Sequence, residues 1–123
     1  MSVRVLIVDD HAVVRSGLSL VVSAEDDLEV VGEAGSAREA VFEARVLKPD
    51  IILLDVVMPD VNGFNVCRTL KNTAETSEIP VVLVTTKGTD SDRFWGRKQG
   101  AEDHLAKPFA AEELTAVIRR FVR

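Results

Sequence analysis

Three stretches of the chain, VRVLIV (3–8), IILL (51–54) and VVLVT (81–85), are apolar at almost every position and rich in β-branched residues. A strand with one face in water alternates apolar and polar side chains, so unbroken runs of this kind belong in a sheet covered on both faces. LEVVGEA (28–34) and DHLA (103–106) read as two further strands. Between the strands the periodicity changes to that of helices. Val14, Leu18, Val21 and Val22 share one helical face, as do Leu114, Val117, Ile118 and Phe121. Ser36 and Glu39 have the spacing of a capping box, with Gly35 turning the chain just before it. Ala40, Val41, Ala44 and Leu47 then supply that helix's apolar stripe. A third helix follows Asn62-Gly63, and a fourth starts at the Thr89-Asp90 turn. This fourth helix, roughly 90 to 99, is the weakest of the set. It carries Gly96, which costs about 1 kcal/mol against Ala. It reads equally as a segment that moves in a switch or as a poorly formed surface helix.

The alternation of strand and helix implies an α/β fold, an open parallel sheet with helices on both faces and right-handed crossovers. A chain of 123 residues sits in the range of one domain, and it buries enough surface to fold without a disulfide or a metal. No repeat, low-complexity tract or linker divides it, so residues 1–123 read as a single domain. The net charge of −5 and acidic pI argue against direct binding of a nucleic-acid backbone by this domain. The opening MSVRVLIVDD is too short an apolar run for a signal peptide or a membrane span, which gives a cytoplasmic expectation with no membrane contact. Cys67 stands alone and allows no internal disulfide; between Phe64 and Leu70 it reads as a small apolar residue packed on a helix.

In open parallel sheets ligands bind beyond the carboxyl ends of the strands. The residues just past each strand are Asp9 and Asp10, then Asp55, then Thr85 and Thr86, then Lys107-Pro108. Burying an ionised carboxylate is costly unless it is paired or bound to a cation. Three carboxylates at one rim repel one another, and an all-oxygen set suits a hard dication such as Mg²⁺. Thr85 adds a hydroxyl donor and Lys107 a mobile ammonium. A carboxylate nucleophile with a cation, a hydroxyl and an ammonium is suited to phosphoryl transfer, which needs mainly positioning and charge neutralisation. Taken singly, each element has a bland reading: Asp-Asp after a strand as a helix cap, Thr as a strand end, Lys-Pro as a turn. Their conjunction at the ends of the right strands is specific.

Four segments, VLIVDD, IILLDVVMPDVNG with its D-x-x-M-P-x-x-x-G spacing, VVLVTT and GAEDHLAKPF, make the chain resemble the receiver domains of two-component response regulators over essentially its whole length. The resemblance implies a CheY-like, flavodoxin-like (βα)5 fold, doubly wound, with strand order 2-1-3-4-5. It implies that Asp55 accepts a phosphoryl group from a sensor histidine kinase or a histidine phosphotransfer domain. Asp10 and Asp55 would bind Mg²⁺ with the backbone carbonyl of Val57, Asp9 would act through water, and Thr85 and Lys107 would contact the phosphoryl oxygens. Lys107-Pro108 would be a cis peptide. Such a protein is a phosphoacceptor switch, not an enzyme, and its only catalysis is its own phosphotransfer and autodephosphorylation. Its output surface, around helix 4, strand 5 and helix 5, would engage a downstream protein or form a homodimer.

The two halves resemble different relatives. DDHAVVRSGL through GEAGSAREA is similar to receivers that precede LuxR-type helix-turn-helix domains, and TTKGTDSDRFWGRKQGAEDHLAKPF to stand-alone twitching-motility receivers. The expectation is a stand-alone regulator, with the receiver of a two-domain transcription factor as the alternative. Position 104 usually carries Tyr or Phe and here is His104, which either fills the ring's place or makes the switch sensitive to pH. Val57 and Lys87 flank the pocket where fast-cycling relatives carry polar or acidic residues, which predicts a long-lived phosphorylated state. Thr86 either narrows access to the pocket or points away. KPFAAEEL lacks the usual Ser or Asp cap of the last helix, a deficit of about 1 kcal/mol. Trp95 with Arg93, Arg97 and Lys98 is either a contact patch or an aromatic packed on its own helix. A phosphohydrolase with the same chemistry would carry a second acid two residues after the nucleophile, where Val57 stands. A receiver that signals without phosphorylation would be expected to lose Asp55, Asp10 or Lys107, and all three are present.

Overall fold

The computed structural model describes residues 2–55, 57–58, 61–85, 100–106 and 109–122. Five strands, β1 (Val3–Val8), β2 (Leu28–Ala34), β3 (Ile51–Leu54), β4 (Val81–Thr85) and β5 (Asp103–Ala106), pair in parallel in the order β2-β1-β3-β4-β5. This is the doubly wound flavodoxin-like sheet, and all five strands occupy the segments expected from their apolar runs. Among the described residues the helices are α1 (Ala12–Ser23), α2 (Ala37–Leu47), α3 (Gly63–Asn72) and a C-terminal helix, Ala111–Phe121.

The missing alternation in β1, β3 and β4 has a direct cause. Successive side chains point to opposite faces of a sheet, and both faces are covered. Val5, Ile7, Ile51, Leu53, Val82 and Val84 pack on one side with Leu18 and Val22 of α1 and Leu114 and Ile118 of the C-terminal helix. Leu6, Val8, Ile52, Leu54, Val81 and Leu83 pack on the other with Ala40 and Ala44 of α2 and Val66, Cys67 and Leu70 of α3. Each fully buried Leu, Ile or Val of this kind contributes about 1.5–3 kcal/mol relative to exposure. Cys67 behaves as the small apolar residue expected: it is fully buried, and burial pushes its thiol up to about 12.

Where local signals met tertiary structure, three details differ. Ser36 Oγ accepts from the Glu39 N–H, but the reciprocal bond runs from the Gly35 N–H to Glu39 Oε1 at 2.9 Å, so the box reaches back one residue further than its pattern. At the C-terminal helix Ala110 makes no side-chain cap bond, as expected, but the other half of a capping box forms, with Glu113 Oε1 accepting the Ala110 N–H at 2.9 Å. The segment VVMPDVNG, where no strand was expected, contains a short antiparallel pair, with Val57 opposite Asn62 and Met58 opposite Val61. The expected helix at roughly 90 to 99, with Arg93, Trp95, Arg97 and Lys98, lies outside the described residues.

Two backbone features mark the edges of the sheet. Val5 pairs with Val30 but Leu6 pairs with Gly32, so Val31 is an extra residue in β2, a bulge. At the other side, Gly100 turns into β5 at φ 97°, where an added Cβ would sit 2.9 Å from Lys71 Cγ, so both conformation and space favour glycine.

Candidate functional site

Register places the aspartates. Val8 pairs with Leu54 at the last step of the β1–β3 ladder, so Asp9 and Asp55 each stand one residue beyond it. The Asp55 N–H donates to the Val8 carbonyl at 2.9 Å and the Asp9 N–H to the Ala34 carbonyl at 3.0 Å, which holds both backbones at the rim. Arg15, one turn into α1, donates from Nη1 to the Asp9 carbonyl and lies 3.4 Å through Nε from Glu33 Oε1. It thereby ties the acidic loop to the end of β2.

The carboxylates themselves are withdrawn from water. Asp9 is 1% exposed and Asp55 5%. Asp10 stands beside them with its side chain 17% exposed. Asp9 Oδ1 accepts the His11 N–H at 2.9 Å. One ligand atom from each of Asp9, Asp10, His11 and Asp55 lies within 4.8 Å of the others. Among the described residues Asp10 Oδ1 is shielded from solvent and has no aligned hydrogen-bond donor, with His11 Nδ1 3.0 Å away. Buried polar atoms are nearly always satisfied, so such an oxygen among three carboxylates fits a hard dication, whose ligands are oxygens.

The remaining expected site residues are placed in part. Thr85 ends β4 opposite Ala106, which puts its backbone at the same edge of the sheet; its side chain is outside the described residues. Val57 lies in the short antiparallel pair directly after β3. His104 is inside β5 opposite Leu83 and 6% exposed, an imidazole in a buried position. Thr86, Lys87, Lys107 and Pro108 fall outside the described residues, so the ammonium contact, the cis peptide and the position of Lys87 are not placed. His11 was absent from the residues expected at the site. Its signal in the sequence was only its place next to Asp10.

Among the described residues no helix is long and apolar enough to cross a membrane. The sequence profile of the response regulator receiver domain matches residues 5–119. The chain is 43% identical over 115 residues to the protein PilH of Pseudomonas aeruginosa, covering 94% of this chain and 93% of PilH. It is 34% identical over 120 residues to the response regulator protein VraR of Staphylococcus epidermidis, covering 98% of this chain but only 56% of VraR. Among solved structures, the response regulator domain of Thermotoga maritima CheB superposes with a TM-score of 0.87 at 32% identity, covering 98% of this chain and 96% of that one. The Vibrio cholerae chemotaxis protein CheY4 gives 0.88 at 28%, covering 99% and 100%. A family match along nearly the whole chain, joined to an acidic rim built by β1 and β3, assigns the protein to the response regulator receiver domains of two-component signalling.

Proposed function

We propose that this receiver is a phosphorylation-dependent switch in which Asp55 takes a phosphoryl group from the phosphohistidine of a sensor histidine kinase or a histidine phosphotransfer domain. The observation that carries the reading is the gathering of Asp9, Asp10 and Asp55 at one buried rim. A carboxylate oxygen of Asp55 attacks phosphorus, an O–P bond forms, and the N–P bond of the phosphohistidine breaks with its electrons returning to the ring. Asp10, Asp55 and the Val57 carbonyl would hold Mg²⁺, with Asp9 acting through water, and the ion would supply neutralisation of the phosphoryl charge. Thr85 and Lys107 are assigned to the phosphoryl oxygens. Asp9 keeps the loop in place through its bond to the His11 N–H and through Arg15.

The chain is modified once and reverts, so it acts as a switch without turning over an external substrate. Val57 is a hydrocarbon and cannot orient an attacking water, and Lys87 can pair with the phosphoryl oxygens, which supports slow reversion. Output passes through the surface of β5 and the C-terminal helix, with the segment before β5, to a downstream protein or a second copy in the cytoplasm. The match to PilH along nearly its full length supports a stand-alone regulator. The match to just over half of VraR supports the alternative, a receiver joined to a DNA-binding domain.

Intact mass after incubation with Mg²⁺ and acetyl phosphate tests the reading. One phosphoryl adduct is expected on the wild type, none with a chelator and none on Asp55→Asn. Followed over time, the adduct should decay slowly, and severalfold faster in the Val57→Asn, Lys87→Glu variant. No adduct on a folded wild type would replace the proposal with a receiver that signals by binding alone.

A further inference from the structure

α2 leaves two large apolar side chains in water: Phe42 is 63% exposed and Val46 61%. At 3.6 residues per turn, Arg38, Phe42 and Arg45 share one flank of that helix, the flank turned towards α3. Between the two helices lies a groove of about 490 Å³, with half-buried Val41 and buried Val66 at its base and Asn65 on its α3 wall. A second hollow of about 260 Å³ shares Phe42 and Arg45 with it and continues to Val46. The charged lining of the groove is of one sign. Among the described residues no carboxylate lines it. The two acids of α2 are on the other flank, Glu39 bonded to the Gly35 N–H and Glu43 beside Gly32 of β2. The Arg38 guanidinium has no hydrogen bond or ion pair among the described residues. Arg45 meets Glu75 only through Nε at 3.4 Å, with both side chains half exposed. Asn65 Oδ1 accepts from Arg68 Nη2 at 2.9 Å, which leaves its NH₂ to donate.

We infer that the groove between α2 and α3 is a docking site for an acidic amphipathic helix of a partner protein. Such a helix seats apolar anchors at i, i+3, i+4 and i+7 in a groove of this kind. Here they rest on Phe42, Val41 and Val66, and carboxylates beside them meet Arg38 and Arg45. The two arginines are seven residues apart on α2, about 10 Å along its axis, so acids two turns apart on the partner reach both. Charge complementarity selects the partner's sign: in a chain of net charge −5, this apolar groove is edged by guanidiniums and amide donors. Length selects a helix over a small organic anion, because an occupant confined to the larger hollow leaves Val46 in water. A second copy of the chain lacks the complementary element among its described helices. α1 and α3 carry no acid, and the C-terminal helix has its apolar face in the core. The groove is on the opposite side of the sheet from α1 and the C-terminal helix, so its occupation leaves both uncovered.

A phage-displayed library of helical peptides, selected on the wild type and counter-selected on Phe42→Gln, tests this without Mg²⁺ or a phosphodonor. The counter-selection removes apolar surface and leaves the charges in place, so the sign of the enriched peptides is an independent result. They should carry acids about two turns apart around an apolar stripe, and amide shifts on adding a synthetic copy should map to α2 and α3. Its affinity, read by fluorescence anisotropy, should fall on the order of tenfold in Arg38→Glu, Arg45→Glu and again in Phe42→Gln. High salt should weaken the wild-type complex severalfold. All three residues are exposed, so these variants keep the core intact, which unchanged circular dichroism checks. Enrichment of neutral or basic peptides, shifts mapping elsewhere, or no enrichment overturns the inference. Dodecanoate shifting these amides where no peptide does would assign the groove to a small amphiphile instead. Self-association of the wild type that Phe42→Gln abolishes would assign it to a second copy.

Discussion

At the amino end of the sheet, Arg119 holds Asp27 and Glu25 at 2.7–2.9 Å, and Lys71 pairs with Glu102 at 2.9 Å. There too Asp50 accepts the Arg4 N–H at 2.8 Å. At the carboxyl end, Asp9, Asp10 and Asp55 stand against one another. The same residue type thus serves opposite ends. At the amino end each carboxylate closes a gap in the fold. Glu102 also accepts the buried Val81 N–H, and the Arg4 guanidinium takes the Leu47 and Lys48 carbonyls left over at the end of α2. At the carboxyl end like charges are held together by backbone bonds and by burial, an arrangement that a bound cation relieves. One end pairs its carboxylates within the fold, and the other gathers them where the proposed cation would sit.

That contrast can be broken or sharpened by measurement. The largest effect belongs to the cation. Mg²⁺ at a hundredfold excess over its Kd should add about 2.7 kcal/mol to the unfolding free energy, and Asp10→Asn should lose most of that gain in denaturant titrations. A gain that survives in the variant would place the ion elsewhere. At the amino end, Glu102→Ala should lower stability by about 2 kcal/mol, since it leaves the Val81 N–H without its acceptor in a buried strand. No loss there would mean that the pairing at the amino end is incidental.

A smaller effect of opposite sign is expected at the carboxyl end. In chelator, Asp10→Asn should raise stability by about 1 kcal/mol, the scale of one like-charge contact at 4 Å in a highly polar medium. A destabilised variant would mean that the acidic rim is not under repulsion. The smallest effect is on the acid limb. Hydrogen bonding to Arg119 holds the Asp27 carboxyl below its ordinary value of 3.8. The unfolded chain therefore takes up this proton first, so the contribution is complete above that value and is lost as pH falls through the folded one. Arg119→Gln should make acid unfolding less steep, and an unchanged limb would assign it to other carboxylates.

The strands were legible because IILL (51–54) and VVLV (81–84) have no polar position, which only a doubly covered sheet explains. Asp9, Asp10 and Asp55 were legible as site residues for a related reason: in a parallel sheet the residue after each strand has a known destination. His11 was not, because the backbone pattern places its Cα but not its ring, and the rotamer depends on the charges it meets. The pair formed by Val57–Met58 and Val61–Asn62 was hidden by its length, since two-residue strands leave no periodicity to read. Ala110 was legible as a cap without a side-chain acceptor, and Glu113, in the same first turn, satisfies only the Ala110 N–H.

The bulge in β2 has a consequence of its own. β2 is an edge strand of the sheet, and a regular edge offers its free amide and carbonyl groups as a template for another chain. The extra residue Val31 breaks the spacing of that row, and Glu29 and Glu33 stand exposed on either side of the break. A second copy of the chain therefore finds neither a regular ladder nor a neutral surface to add to. This discourages strand-to-strand aggregation of a protein whose sheet is otherwise made of the most aggregation-prone sequence it has.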